Sequence, residues 1–493
     1  KHICICLITL SIFYCQAQNS TSDIDLRTTF NSPVEISEVS TDTYLLDFGK
    51  AYFGTVELRS TTTQNDSLVI HLGEKLDAQN RIDRNPGGSI RYQRIVLRNL
   101  QANTITNIEL VPNKRNTSGA AILLPDSIGV IMPFRYCEIE NLKIPIENIE
   151  VLQKATHNNF NEEASSFSSS NAILDSIWKL CKHTIKATSF TGYYVDGDRE
   201  RIPYEADAYI NQLSHYSVDS LYAMGRRTNA YFIKNPTWPT EWLLHTVPMF
   251  YADYMYTGDL EPLKKHYENL KLKTLMDLER EDGLISSSSP QMNEELISKL
   301  GFKKPDTKIK DIIDWPPAQK DTGWELATAE GERDGYEIVP VNTVVNSFYY
   351  YNLVLMAKIA EFLEKEDDVV FFQNKAATIK SVINTKLFDT KKGYYLDGEN
   401  STHSSLHGNM MPLAFGLVPK DNIKVPTKNG IITASFKKDK NTDHYTIEIP
   451  KEMTAEFTVP PIFSKIKHNG KKIKSTHNPV HLKSGVHTIE LKQ

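Results

Sequence analysis

The stretch NAILDSIWKLCKHTIKATSFTGYYVDGDRERIPYEAD, residues 171–207, is where the chain changes character. Its first half sets Ile173, Ile177, Leu180, Cys181 and Ile185 at helical spacing, the apolar stripe of one helix face. Its second half, Tyr194 to Asp207, packs five acids, two arginines and a proline into fourteen residues. Pro203 predicts the first turn of a second helix carrying PYEADAYINQLSHYSVDS.

Upstream, from about residue 23 to 150, short apolar or alternating runs are broken by Gly, Asn, Asp and Pro. YLLDFGKAYFGTVELRS, DSLVIHLGEKL, SIRYQRIVLRN, ITNIELVP and FRYCEIENLKI predict an antiparallel β-sandwich. Downstream, helical patterns recur at about 219–233, 241–257, 260–280, 342–364, 366–387 and 404–416, with a long irregular segment at 281–341. That makes about eight helices, mostly in consecutive pairs, and suggests a toroid of helical hairpins over residues 160–423. A closed ring of six hairpins needs twelve, so the toroid is expected to be incomplete. Strands return in 424–493, in GIITASFKKD, HYTIEIPKEM, AEFTVPPI, NGKKIK and GVHTIELK, predicting a small C-terminal β-sandwich.

The 493 residues suit roughly two to four domains. With 24% charged residues and a net charge of −5, no basic stripe marks a nucleic-acid partner. Lys1, the apolar run from Ile3 to Tyr14, and the small residues Cys15 and Ala17 read as a signal peptide over 1–18. Export to the periplasm or medium is expected, with lipid anchoring through Cys15 the lesser alternative. No transmembrane helix is expected. Of five cysteines, Cys4, Cys6 and Cys15 fall in that leader, and Cys137 and Cys181 are read as free and buried in preference to paired.

Glu200 sits between Arg199 and Arg201, with Asp196, Asp198 and Asp207 nearby. Arginines lower a carboxylate's pKa, whereas neighbouring acids and burial raise it. The acids can offset the arginines and keep Glu200 protonated, the state that assists departure of a glycosidic oxygen. A charged helix N-terminus is the bland reading of the same residues. Asp196-Gly197-Asp198 is read as a turn using Gly197 in preference to a cation site.

DGDRERIPYEAD resembles the motif of bacterial α-L-rhamnosidases of glycoside hydrolase family 78, roughly Asp-x-x-x-Arg-Glu-Arg-x-x-Trp-x-x-Asp. Arg199-Glu200-Arg201 and Asp207 match in register, Tyr204 stands at the Trp, and Asp196 lies one residue off, so Asp196 or Asp198 fills the first position. DFGKAYFGTVELR, IDWPPAQKDTGWE, DGYEIVPVNTVVNSFYYYNLVLMAKIAE and GYYLDGENSTHSSLHGNMMPLAFGLVP also look like that family. The resemblance implies an (α/α)6 toroid that hydrolyses terminal α-L-rhamnosides with inversion, without an organic cofactor. It casts Glu200 as general acid and Asp196, Asp198, Arg199 and Asp207 as sugar contacts.

One departure stands out. PLAFGLVPKDNI runs straight into KVPTKNGIITASF, where the resemblance implies about four more helices with a Glu-x-Trp carboxylate that activates water. No general base is therefore assigned; Glu325, Glu330, Glu332 and Glu337 are read as solvated loop acids in preference to substitutes for that base. Trp238, beside Pro239, is a further substrate contact, because indole faces stack on sugars; Asp314-Trp315 in IDWPP resembles that family's Asp-Trp pair and is implied as a substrate contact, with Trp324 weaker. Trp242 and His245 are read as core, and His403 and His407 as hydrogen-bonding groups at a helix start in preference to metal ligands. Two rivals remain: a polysaccharide lyase on a similar toroid, and a relative that binds rhamnose-containing sugar without cleaving it.

Overall fold

Alternating apolar residues over Thr43–Ser60 make a single 18-residue strand, β3, and the N-terminal region is organised around it. Its neighbours are β1 (Leu26–Asn31), β2 (Glu35–Ser40), β4 (Leu68–Gly73), β5 (Tyr92–Leu97), β6 (Ile105–Asn107), β7 (Met132–Glu140) and β8 (Ile149–Asn158). All are antiparallel, in the order β1-β8-β3-β7-β4-β5, with β2 and β6 on β3. The register of β3 against β7 shifts between Asp47 and Tyr52. Such an irregularity bends a strand. The first half of β3 then pairs with β2 and the second with β8 and β6. Leu46 and Phe48 from one half share a core with Val56 and Leu58 from the other, beside Ile70, Ile139 and Val151. That shared interior is the expected sandwich.

The computed structural model describes residues 25–313, 336–418, 422–439, 442–459, 463–473 and 479–492. The leader-like stretch, Asp314, Trp315, Trp324, Glu325, Glu330 and Glu332 lie outside them. Cα packing divides the chain into two compact units. The first takes Lys1–Pro203, Ile210–Thr228 and Asp253–Asp259; the second takes Tyr204–Tyr209, Asn229–Ala252 and Leu260–Gln493.

The helices are α1 (Ala172–Ala187), α2 (Glu205–Tyr216), α3 (Ala223–Lys234), α4 (Thr240–Leu243), α5 (Thr246–Thr257), α6 (Glu261–Lys273), α7 (Glu294–Lys299), α8 (Thr343–Phe362), α9 (Glu366–Lys386) and α10 (Leu406–Ala414). Eight of these have nine or more residues, the expected number among the described residues. The stretch 241–257 is split, because the turn at Leu244 and His245 separates α4 from α5. The 281–341 segment, read as irregular, holds α7, capped by Asn293 Oδ1 accepting from Leu296 N at 3.0 Å.

Three local expectations are corrected. Pro203 does not start α2: Ala208 N donates to Tyr204 O at 2.8 Å, so the helix begins at Glu205 and Pro203 lies ahead of it, outside the helix. Asp207 stands in the first turn of α2. The apolar stripe of α1 is solvent-facing, with Ile173 69%, Ile177 50% and Leu180 63% exposed. Cys137 and Cys181 are free, but only Cys137 is buried.

In the second unit α8 is the axis. It is apolar on every side, and Val345, Tyr349, Leu353, Met356 and Ile359 are buried. Its buried amides tie down loops: Asn352 Nδ2 donates to Leu244 O at 2.9 Å, and Asn346 exchanges bonds with Ile285 N and O. A buried amide left unmet would cost about 1–3 kcal/mol, so these positions fix which segments lie against the helix. β9 (Phe388–Asp389) and β10 (Tyr394–Tyr395) form a short hairpin. The C-terminal strands β11 (Asn422–Thr427), β12 (Gly430–Asp439), β13 (Thr442–Ile449), β15 (Lys465–His468), β16 (Lys471–Ile473) and β18 (Gly485–Lys492) form a sheet ordered β11-β12-β13-β18-β15-β16. With the pair β14 (Ala455–Phe457) and β17 (Val480–Leu482) they enclose Ile447, Ile466, Leu482, Ile489 and Leu491, the expected small β-sandwich. Among the described residues no helix is long and apolar enough to cross a membrane.

Candidate active-site cleft

In the first unit the acid-rich stretch folds into a tight, inward-tied turn. Asp196 N donates to Ile202 O at 3.0 Å, and Ile202 N donates back to Asp196 Oδ1 at 3.1 Å. Gly197 has φ 107°, as the turn reading required. Arg201 has φ 56°, a conformation a non-glycine residue holds only when its surroundings over-determine it. They do. Arg201 O accepts from Ile122 N at 2.9 Å, and its guanidinium donates to Asp198 Oδ1 at 2.6 and 3.1 Å and to Ile131 O at 2.8 Å. The same guanidinium lies 5.1 Å from the Phe190 ring centre, and Phe190 stacks on Phe53.

Asp198 is thus buried and committed. Beyond Arg201 it meets Asn116 Nδ2 at 3.2 Å and Arg91 Nη1 at 3.3 Å. Asp196 faces Arg199 Nε at 3.7 Å. Two of the acids expected to offset the arginines around Glu200, Asp196 and Asp198, therefore carry arginine partners themselves. Glu200 points the other way: Arg115 Nη2 donates to its Oε1 at 3.2 Å, and Arg199 Nη2 stands 3.6 Å from its Oε2. Behind the turn lies a buried relay that the sequence did not reveal. The Tyr194 hydroxyl is 2.6 Å from His215 Nδ1, and His215 Nε2 is 2.9 Å from Asp219 Oδ2.

Arg115 and Arg199 open onto a cleft of about 420 Å³, also lined by Arg84, Arg91 and the loop Asn85 to Ser89. That volume falls within the range of small-molecule sites, about 300–1,000 Å³. Glu74 lies nearby, its carboxyl pushed up by burial, accepting from Arg91 N at 2.9 Å. None of Arg84, Arg91 and Arg115 was legible as a site residue, since the β-domain supplies them from far upstream.

The second unit gathers another set of carboxylates. Trp238 is 42% exposed in the loop before α4. Its carbonyl accepts from Lys310 N at 3.1 Å, which lays residues 310–313 beside α4. Glu241 on α4 is buried and accepts from Ile313 N at 3.0 Å and Ile312 N at 3.4 Å; burial above all pushes its carboxyl up to about 7. Asp311, also raised by burial, accepts from Ser287 Oγ at 2.9 Å and from Asn342 Nδ2 at 2.7 Å. Asn342 is the N-cap of α8, accepting from Val345 N at 2.8 Å. Glu241 and Asp311 hold the segment that leads directly to Asp314 and Trp315.

Asp207 stands on α2 beside Glu205, which is buried and accepts from Thr237 N at 3.0 Å. Trp242 meets Tyr204 edge-on at 5.3 Å between ring centres. His245, held down to about 4 by burial, sits between Tyr209 and Phe348 and bonds Glu241 O at 2.8 Å. His403 Nδ1 lies 2.6 Å from Asp397 Oδ2, just before α10. Glu337 Oε2 accepts from Ser401 Oγ at 2.6 Å. Among the described residues, His71, Glu138 and Glu140 alone group closely enough to hold a metal ion. Arg84 already donates to both carboxylates, at 2.6 and 3.2 Å, and Arg81 to Glu140 at 2.8 Å, so the donor set is spent on guanidiniums.

A family model described as the bacterial alpha-L-rhamnosidase 6 hairpin glycosidase domain matches residues 162–442. No curated protein matches the chain. Among solved structures, the alpha-L-rhamnosidase of Dictyoglumus thermophilum is similar over 96% of this chain and 64% of its own, at 13% identity and TM-score 0.50. The rhamnosidase from Klebsiella oxytoca with rhamnose bound is similar over 80% and 77%, at 15% identity and TM-score 0.51. That of Aspergillus terreus is similar over 94% and 63%, at 11% identity and TM-score 0.52. These likenesses speak to fold alone. The chain spans less than two thirds of the first of these proteins.

Proposed function

Since the chain belongs to the bacterial α-L-rhamnosidase six-hairpin glycosidase family, we propose that it is an exported enzyme that removes terminal α-L-rhamnose from oligo- or polysaccharides or glycosides by inverting hydrolysis. The observation that carries this reading is Glu200, inside the matched region, whose two oxygens meet Arg115 and Arg199, two of the residues that line the cleft. Glu200 donates its proton to the glycosidic oxygen as the bond to the anomeric carbon breaks. Water attacks that carbon from the opposite face, activated by a carboxylate roughly 6.5–9.5 Å from the acid. No residue is assigned to that second role. Arg201 and Asp198 act by holding the turn, and Asp196 positions Arg199. The apolar run from Ile3 to Tyr14 supports export.

The test is rhamnose release from paired substrates with good and poor leaving groups, in the parent and in Glu200→Gln. Loss of a general acid should cut the poor leaving group about 10²- to 10⁴-fold and the activated one far less. Equal rates in the two proteins would remove Glu200 from the chemistry. Proton NMR should show the β-anomer of rhamnose first. An unsaturated, ultraviolet-absorbing product would point to a lyase instead.

A second reading, sugar binding without cleavage, is favoured by one observation. Six hairpins call for twelve helices, and the described residues supply eight of nine or more residues, with the α1 stripe facing solvent. Tight rhamnoside binding with no product, unchanged by Glu200→Gln, would support it.

A further inference from the structure

Four guanidiniums, those of Arg84, Arg91, Arg115 and Arg199, line the cleft, and among the described residues no carboxylate does; two of them meet Glu200. Their partners lie behind them. Arg84 is held by Glu138 at 2.6 Å and Glu140 at 3.2 Å, and Arg91 by Asp198 at 3.3 Å. Arg115 and Arg199 differ. Arg115 is 56% exposed, and among the described residues Glu200 is its one acidic partner. Arg199 shares that same carboxylate and reaches Asp196 only at 3.7 Å. One carboxylate thus serves two guanidiniums. When Glu200 carries the proton that glycosidic cleavage requires, it is no longer an anion, and Arg115 is left without one.

We propose that the missing anion belongs to the substrate: the cleft binds an acidic group, a uronate carboxylate or a sulfate ester, on the sugar unit that carries the rhamnose. This rests on the rhamnosidase reading for the placement of the scissile bond, but the binding itself does not depend on turnover. Guanidinium forks suit planar carboxylates and sulfates because two parallel N–H bonds meet two oxygens. The loop wall leaves room for such a group. Gly87 and Gly88 have no atom within 4 Å of where a side chain would begin, so a sugar ring can approach the backbone there. Arg84 Cζ lies 5.5 Å from the centre of the Tyr92 ring, which keeps one side of the cleft rigid. A substrate anion that takes Arg115 draws that guanidinium away from Glu200, so binding the acidic unit and freeing the proton donor become one event.

The experiment is calorimetric titration of the whole protein with three probes: methyl glucuronide, its neutral methyl ester, and glucose 6-sulfate. The acid should bind at least ~10-fold more tightly than the ester, the cost of losing one charge-assisted bond pair. Arg115→Gln, an exposed substitution, should abolish that difference while leaving the ester's affinity unchanged, and Arg199→Gln should reduce it. Tighter binding of the sulfate than of the glucuronide would assign the group as a sulfate ester. Equal affinity for acid and ester, no binding of either anion, or sodium sulfate binding as tightly as the sugar acids would each overturn the proposal. A chain that releases no rhamnose yet keeps the Arg115-dependent preference for acid would sink the hydrolase reading and leave the acidic-sugar site standing.

Discussion

Replacing Asp198 by asparagine tests how the turn that presents Glu200 is held. Asp198 and Arg201 are each 6% exposed at the side chain and meet through two bonds, at 2.6 and 3.1 Å. Removing one partner of a buried pair costs about 3–5 kcal/mol, because the other charge stays buried and unmatched. Arg201 keeps Ile131 O and the face of Phe190, and the isosteric amide retains one acceptor oxygen, which argues for the low end, about 3 kcal/mol. The loss should be local, since Arg201 at φ 56° is the residue whose conformation the pair enforces. The amides of Ile122 and Ile202, bonded to Arg201 O and Asp196 Oδ1, report opening of the turn. At about 1.4 kcal/mol per tenfold, their hydrogen exchange should quicken roughly a hundredfold, with that in β12 and β13 unchanged. Adding Arg201→Gln should recover about 2 kcal/mol of this, the signature of a direct pair in a double-mutant cycle. A change below about fivefold, or no recovery, refutes the account.

Three further outcomes are expected. Glu241, with its pKa raised by burial to about 7, binds its proton more tightly folded than unfolded. Its contribution to stability is therefore full below about pH 4.5 and falls by about 3 kcal/mol as pH rises to about 7; Glu241→Gln should flatten that part of the urea-stability profile, and an unchanged slope would contradict the burial argument. Gly225→Ala lies in α3, where alanine alone would gain about 1 kcal/mol, but its Cβ would come within 2.5 Å of the buried Tyr216 hydroxyl, itself bonded to Asp253 at 2.8 Å. Overpacking should win, with a net loss of about 2 kcal/mol in urea unfolding. Ile177→Ser with Leu180→Lys on α1 should shift stability by about 0.5 kcal/mol or less and reduce self-association in sedimentation, whereas a buried stripe would lose about 2–5 kcal/mol per site.

The sequence alone determined where most of the longer helices and the strand-rich regions lie. Apolar period is a local property, so α8 at Thr343–Phe362 and α9 at Glu366–Lys386 fall within two residues of the pattern that announced them. The turn at Gly197 was likewise written in one dipeptide's chemistry. What the pattern could not say is what a face would touch. Ile173, Ile177 and Leu180 spell a core stripe and lie in solvent, because burial needs a partner helix and periodicity names none. Nor could it say which acids meet which bases. Nothing in the sequence singled out Glu241 and Asp311, which the pairing of 310–313 beside α4 buries. Arg115 reaches Glu200 across 85 residues, and Asn116 reaches Asp198 across 82. Closing loops of that length costs chain entropy that contacts distant in sequence must offset. The acid at the centre was therefore legible in three letters, Arg199-Glu200-Arg201, while the cleft around it and the buried clasp beneath it exist only once the chain has folded.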